Sequence, residues 1–282
     1  MKAKPLVPMA WLSSFLPFNK WDLLLHFNIK ISQNSDSKQV PFRFVVYDII
    51  IPQKRGEKVS KPRGRHELKH HINYADVLQL RAKLPFIAKL DVNGAKENGY
   101  RVRSLYFDNY QDKALKEKLD GVSNREKFRL RFYNGKTDYI RLEKKSKKKG
   151  ICFKESSTVT EEQCRCLLAG DLAALKENGS PLCLELYTKM YYQQLRAKNI
   201  VDYWRAYVYP PGNVRITLDY DLRADYMINN FLKPEAASIP ISGIYLLEVK
   251  YDCFLPEIIR NLVSLSSRRS TAFSKYAVTR II

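Results

Sequence analysis

Cationic side chains fall on every second residue in several stretches of this chain. Arg125, Lys127, Arg129 and Arg131 alternate with Glu126, Phe128, Leu130 and Phe132. Arg141, Glu143, Lys145 and Lys147 alternate first with Leu142 and Lys144, and Arg65, Glu67 and Lys69 bracket His66 and Leu68. Leu246, Glu248 and Lys250 do the same around Leu247 and Val249. Successive side chains of a strand point to opposite faces, so each stretch is a ribbon with one apolar and one charged face. The charged faces are mostly cationic, with single carboxylates at Glu67, Glu143 and Glu248. Such a surface suits a polyanion with a metal ion, and phosphate chains meet that description.

The whole chain repeats the bias: its 282 residues carry 49 Lys and Arg against 29 Asp and Glu, a formal net charge of +20. An excess of this size favours nucleic acid, acidic lipid surfaces or polyphosphate, and by itself does not choose among them. A hydrophobic content of 45% suffices for an ordinary core. The cysteines (Cys152, Cys164, Cys166, Cys183 and Cys253) include no CxxC pair, and the His residues are not placed to complete a zinc knuckle. They read as reduced thiols of a cytoplasmic protein. No apolar run approaches the ~18 residues of a membrane span. Residues 5–18 are apolar after Lys2 and Lys4, but Pro5, Pro8 and Pro17 interrupt them and no small-residue cleavage site follows.

Residues 1–60 lack the alternation, and a basic stretch with Gly56, Pro62 and Gly64 reads as a linker after them. They form an N-terminal segment to which no role is assigned; residues 61–282 read as one domain. Strand patterns fall near 65–72, 100–107, 124–134, 138–147, 150–158, 200–209, 213–220 and 244–251. Helical periodicity appears near 74–84 with Asn73 as cap, 110–119, 160–169 after Thr160, 182–198, 255–265 and 271–280. Asn134-Gly135 between two alternating runs is a hairpin signal, and Lys149-Gly150 turns the next one.

A charged sheet face is ordinarily the solvated face. Three features point the other way: the pattern recurs on most strands, it is rich in Arg, and the opposite faces carry large apolar residues that amphipathic helices can cover. An α+β fold follows, a closed antiparallel eight-stranded barrel with helices packed outside, wide enough to hold a ligand. Arg and Lys lining such a lumen repel one another unless an anion fills it.

Six motifs then occur in order: Arg65-x-Glu67-x-Lys69, Ser104-Leu-Tyr-Phe-Asp108-Asn109, Arg129-x-Arg131-Phe-Tyr, Leu142-Glu143-x-Lys145, Leu247-Glu248-Val-Lys250 and Phe273-Ser274-Lys275-Tyr276. Together they resemble the VTC domain, the polyphosphate-polymerase domain of the vacuolar transporter chaperone complex and its bacterial relatives. That domain belongs to the CYTH or triphosphate tunnel metalloenzyme superfamily. The resemblance covers roughly residues 64–281. It implies an eight-stranded tunnel that binds a triphosphate and a divalent metal, Mn²⁺ or Mg²⁺. It also implies a metal-dependent polymerase that passes the γ-phosphate of ATP to a growing polyphosphate chain, with phosphate or pyrophosphate as alternative primers. A polyphosphate-binding module without turnover and a tunnel triphosphatase remain open alternatives. Tunnel phosphatases of the superfamily start with Glu-x-Glu-x-Lys, whereas Arg65 stands first here. That departure removes a metal-ligand candidate and adds a phosphate ligand.

Phosphoryl transfer depends on charge neutralisation and in-line positioning more than on covalent help. Arg129 and Arg131 share one strand face and can fork onto successive phosphates, which makes them the leading catalytic candidates. By match to the family, Lys69, Lys145, Lys154, Arg205, Arg215 and Lys250 complete the basic lining, with Lys118 joining from the segment before the third strand. Ser274 and Lys275 start the last helix, where a helix N-terminus and an ammonium can grip a terminal phosphate. Glu248, a lone acid on a cationic face, is the first metal-ligand candidate. Glu67 and Glu143 are secondary, and pairing with neighbouring Arg or Lys accounts for them equally well. Asp219 likewise either orients an Arg or binds metal. Tyr106, Phe107 and Asp108 read as core and turn residues. The basic run at 144–149 resembles a nucleic-acid patch, but beside a tunnel mouth it reads as guidance for an anionic chain. No RNP-like or helix-turn-helix signature is present, and no nucleic-acid partner is expected.

Overall fold

The computed structural model describes residues 64–90, 99–209, 213–264 and 270–281. Residues 1–63, which hold the expected N-terminal segment and most of the expected linker over 54–65, lie outside the described residues. Ten strands form one sheet: β1 (His66–Ile72), β2 (Lys89–Leu90), β3 (Tyr100–Asp108), β4 (Arg125–Tyr133), β5 (Lys136–Lys148), β6 (Ile151–Val159), β7 (Arg196–Tyr209), β8 (Arg215–Asp225), β9 (Ile239–Ile241) and β10 (Tyr245–Tyr251). Eight of them run in the order β1-β10-β8-β7-β3-β4-β5-β6, while β2 adds to β7 and β9 to β8. Every pair is antiparallel. Local chemistry sets the turns. Asn134 and Gly135 have φ of 52° and 71°, and Lys149 and Gly150 have 48° and 86°, the left-handed pairs that two-residue hairpins require.

The expected closed barrel is not what forms. The edge strands β1 and β6 approach each other and meet at one isolated bridge, where the Arg65 N–H donates to the Cys152 carbonyl at 3.2 Å. Closure needs a continuous staggered ladder along both edges. The contact with β6 comes just before the first residue of the seven-residue β1, and no ladder continues it among the described residues. The sheet is therefore a curled eight-stranded half-barrel.

Seven helices accompany it among the described residues: α1 (Tyr74–Lys83), α2 (Lys113–Leu119), α3 (Glu161–Ala169), α4 (Ala173–Asn178), α5 (Pro181–Tyr192), α6 (Glu257–Val263) and α7 (Lys275–Ile281). Asn73 and Asp76 form a reciprocal cap on α1, and Thr160 and Gln163 do so on α3. The helix expected over 182–198 ends at Tyr192, because Gln194 turns left-handed (φ 55°) and Arg196 already begins β7.

The apolar strand faces are covered by these helices. Phe128, Leu130, Phe132, Ile140 and Leu142 pack with Cys164 and Leu167 of α3, Leu175 of α4, and Leu186 and Met190 of α5. Ile216, Leu218, Leu247 and Val249 pack with Val77 and Leu80 of α1 and Ile259 and Val263 of α6. That packing fixes which face is left for the charged residues: the concave one. There α7 lies against the sheet at one end, with Tyr276 on Tyr106 at 5.1 Å and Asn199 donating to the Thr279 hydroxyl at 2.8 Å.

Candidate functional site

The concave face holds an inner, partly open cavity of about 70 Å³. It is lined by eight cationic side chains (Lys69, Lys127, Arg129, Arg131, Lys145, Arg205, Lys250 and Lys275) against two carboxylates, Glu67 and Glu248. Lys69, Lys127, Lys145, Glu67 and Ser274 also line an outer cavity of about 400 Å³, where Lys118, Arg125 and Lys147 join them. Lys118 and Lys147 make no ion pair among the described residues. One strand register after another delivers these groups: Lys145 stands opposite Lys127, Glu143 opposite Arg129, Lys69 opposite Glu248, and Arg205 opposite Asp219.

Three buried acids (Glu143, Asp219 and Glu248) and the half-buried Glu67 organise the cations. Glu248 receives Lys69 at 3.2 Å, Lys250 at 3.1 Å, Arg205 at 3.3 Å and Lys275 at 3.5 Å. Asp219 takes Arg205 in a two-bond fork, Nε at 2.5 Å and a terminal nitrogen at 2.6 Å, and also accepts from Lys275. Of the two sequence readings of Asp219, this geometry is the arginine-orienting one. Glu67 accepts from Lys145 at 2.5 Å and lies 3.6 Å from Lys250. Glu143 holds Arg129 at 2.7 Å and Lys154 at 2.5 Å. Burial opposes the ionisation of all four, yet the cations around each hold every carboxyl below its usual range.

Arg129 and Arg131 are anchored by aromatic hydroxyls as well. Arg129 donates to the Tyr106 hydroxyl at 2.9 Å; Arg131 donates to Ser104 at 3.0 Å and to the Tyr203 hydroxyl at 3.0 Å. Tyr203 also lies under Arg205 and Lys275, 5.2 Å and 4.5 Å from its ring centroid. Their planar forks are thus pre-set facing the cavity. Burial raises the Tyr106 phenol, but Arg129, Lys127 and Arg131 outweigh it and bring the group down to about 7.

The structure thus gathers Lys69, Arg129, Arg131, Lys145, Arg205, Lys250, Ser274, Lys275, Glu67 and Glu248 around one space, with Lys118 at its outer part. Glu143, Lys154 and Arg215 line neither cavity. Glu143 stands behind Arg129 as its counter-ion, and Lys154 caps Glu143. Arg65 is turned to Asp252 at 2.8 Å, not into the cavity, because the acid of the neighbouring turn captures its guanidinium. The basic run at 144–149 is split by the strand: Lys145 and Lys147 face the cavity, while Lys144 pairs with Glu185 at 2.6 Å on the outer side. Ser274 caps α7, its hydroxyl receiving the Ala277 N–H at 3.4 Å.

Sequence reasoning assigned no role to Lys127, Tyr106 or Tyr203. Lys127 shares its strand face with Arg129 and Arg131, and Tyr203 lies two residues before Arg205 on one strand, so the period-two rule held the signal for both. Tyr106 was read as core. Its ring is buried, and its hydroxyl is the part that reaches the site.

Among the described residues no group of three His, Cys, Asp or Glu could hold a metal ion by itself. Glu67 and Glu248 are nonetheless ionised, line the same cavity and share Lys69 and Lys250 as neighbours. A hard cation that takes most of its ligands from phosphate oxygens and water suits such a sparse carboxylate set.

A curled antiparallel sheet with a cation-lined concave face and an outer layer of helices defines a class of cation-lined half-barrel. The chain belongs to the VTC domain family, whose profile matches residues 64–281. Solved structures of similar fold include a candidate adenylate cyclase from Vibrio parahaemolyticus, 11% identical, with 78% of this chain covering 99% of that one at a TM-score of 0.42. The PH1819 protein from Pyrococcus horikoshii OT3 is 12% identical over 77% of this chain and 98% of its own, TM-score 0.42. The Mimivirus capping enzyme triphosphatase is 13% identical over 73% and 88%, TM-score 0.36. No curated protein matches the sequence. Among the described residues no helix is long and apolar enough to cross a membrane.

Proposed function

We propose that the chain is a cytoplasmic polyphosphate polymerase, transferring the γ-phosphate of ATP to a growing polyphosphate chain within the cavity. One observation carries this reading: eight cations line a concave cavity against two carboxylates, and Lys118 and Lys147, which make no ion pair among the described residues, line the outer cavity beside it. An isolated phosphate leaves most of that charge unused, whereas a linked chain can engage the cations of both cavities. The VTC family match supports the same substrate class.

In this reading Arg129 and Arg131 spread their forks over the transferring phosphoryl group and neutralise the charge that builds on its oxygens. Arg205, fixed by Asp219, and Lys275 take the neighbouring phosphates. Glu248, with Glu67, would hold Mn²⁺ or Mg²⁺ together with phosphate oxygens. A bound divalent ion supplies further charge neutralisation and fixes the phosphate orientation. Lys118, Lys145 and Lys147 guide the growing chain.

Incubation of the purified protein with ATP and Mn²⁺, with products resolved on a gel, tests the proposal: a ladder of polyphosphate is expected. A second reading is favoured by the ion pairs that already occupy Glu248 and Glu67. It is a polyphosphate-binding module without turnover, and it predicts retained polyphosphate binding with no ladder. Release of orthophosphate from tripolyphosphate would instead indicate a tunnel triphosphatase.

A further inference from the structure

Lys127 stands at the junction of the inner and outer cavities and lines both. The other seven cations of the inner cavity each have an ion pair of 3.7 Å or less. Lys127 has none among the described residues, and its ammonium lies over the Tyr106 ring at 5.3 Å. Its surroundings explain the lack. β3 brings Tyr106, β5 brings Lys145 directly opposite, its own strand brings Arg125 and Arg129, and α2 brings Lys118. β1 brings Lys69 and the acid Glu67, which Lys145 already holds. Glu126 also lines the outer cavity, but its carboxylate is paired with Lys189 and Lys144.

A lysine enclosed by cations with no counter-ion is costly to charge. Burial is the largest cause; Lys145, Lys69 and Arg129 add to it against a counter-pull from Tyr106, and the group is brought down to about 7. The Lys127 side chain remains partly exposed, so it can exchange protons with solvent.

We infer, on the reading that this cavity holds a phosphate chain, that Lys127 is a further ligand-binding residue that gains its proton as the chain arrives, so that binding takes up a proton. The proton comes from solvent and adds to the Nζ lone pair; no bond of the phosphate chain is broken. The anion supplies the counter-charge that the protein withholds. Well below pH 7 Lys127 is already charged and uptake vanishes; above pH 7 it is neutral in the empty cavity and uptake rises. Affinity accordingly weakens as pH climbs past 7.

The test is calorimetry with inorganic tripolyphosphate at pH 6 and pH 8, each in two buffers of different ionisation enthalpy, on wild type, Lys127→Arg and Lys127→Met. Tyr106, at about 7, and Lys250, which burial brings down to about 8, can also take up protons when an anion binds. The quantity that reports Lys127 is therefore the difference between wild type and Lys127→Arg. At pH 8 wild type should take up close to one proton more per chain than Lys127→Arg, and at pH 6 roughly a tenth of one. Lys127→Met should bind about tenfold more weakly at pH 6, from loss of a charged contact, and melt no lower than wild type. Equal proton uptake in wild type and Lys127→Arg, with both binding, would overturn the inference and leave the phosphate-chain reading standing. Failure of wild type to bind tripolyphosphate would overturn that reading and the inference with it.

Discussion

At the scale of single residues, four acids offset part of the cavity's cationic charge before any ligand arrives. Alternation in the sequence placed the cations and predicted that they repel one another; it left open whether Glu67, Glu143 and Asp219 pair with cations or bind metal, and did not name the partners that each acid takes across the sheet. That pairing changes what a mutation does. Arg129→Ala leaves Glu143 buried with Lys154 and a more distant Arg131, so it should abolish chain synthesis and also cost about 1–3 kcal/mol of stability. Turnover with ATP and a denaturant titration check the two halves; wild-type turnover would remove Arg129 from the mechanism. Glu248→Gln strips a counter-ion from four cations. Tripolyphosphate binding without metal should hold or tighten, while metal-dependent turnover falls roughly a hundredfold or more. Equal loss of both would make Glu248 a structural residue only.

At the scale of elements, the eight long strands were legible because period-two alternation and the two left-handed hairpin turns are local signals. The open seam between β1 and β6 was not, since closure depends on a register that no local pattern encodes. The short α4 and β9 likewise carry too few residues to show a period. One element junction matters for the site. Gly99 enters β3 with φ of 79°, and a Cβ there would lie 2.2 Å from the backbone oxygen of Arg205. Gly99→Ala should therefore push β7 away where Arg205 reaches the cavity, costing about 2 kcal/mol or more. Thermal melting and tripolyphosphate affinity should both fall; unchanged values in both would show that the β3–β7 junction yields without moving Arg205.

For the whole molecule, acid stability follows from the same four carboxyls. Their folded-state values lie below the ordinary 4.5 and 3.8, so the stability they contribute is complete above about pH 4.5 and drains away as pH falls further. The melting temperature should be flat from pH 6 to 5 and drop by roughly 5 °C or more between pH 4.5 and 3, a drop that Glu248→Gln makes smaller. The net charge of +20 was visible from composition and the strand alternation already pointed part of it inward; the fold turns that part onto the concave face, where a duplex cannot follow. The most direct measurement is therefore competition: labelled tripolyphosphate bound to the protein, challenged with unlabelled long-chain polyphosphate or with duplex DNA at equal phosphate concentration. Displacement by polyphosphate at far lower concentration than by DNA, with binding lost in Arg131→Ala, is the predicted result. Equal displacement by both polyanions, with Arg131→Ala binding as wild type does, would contradict it.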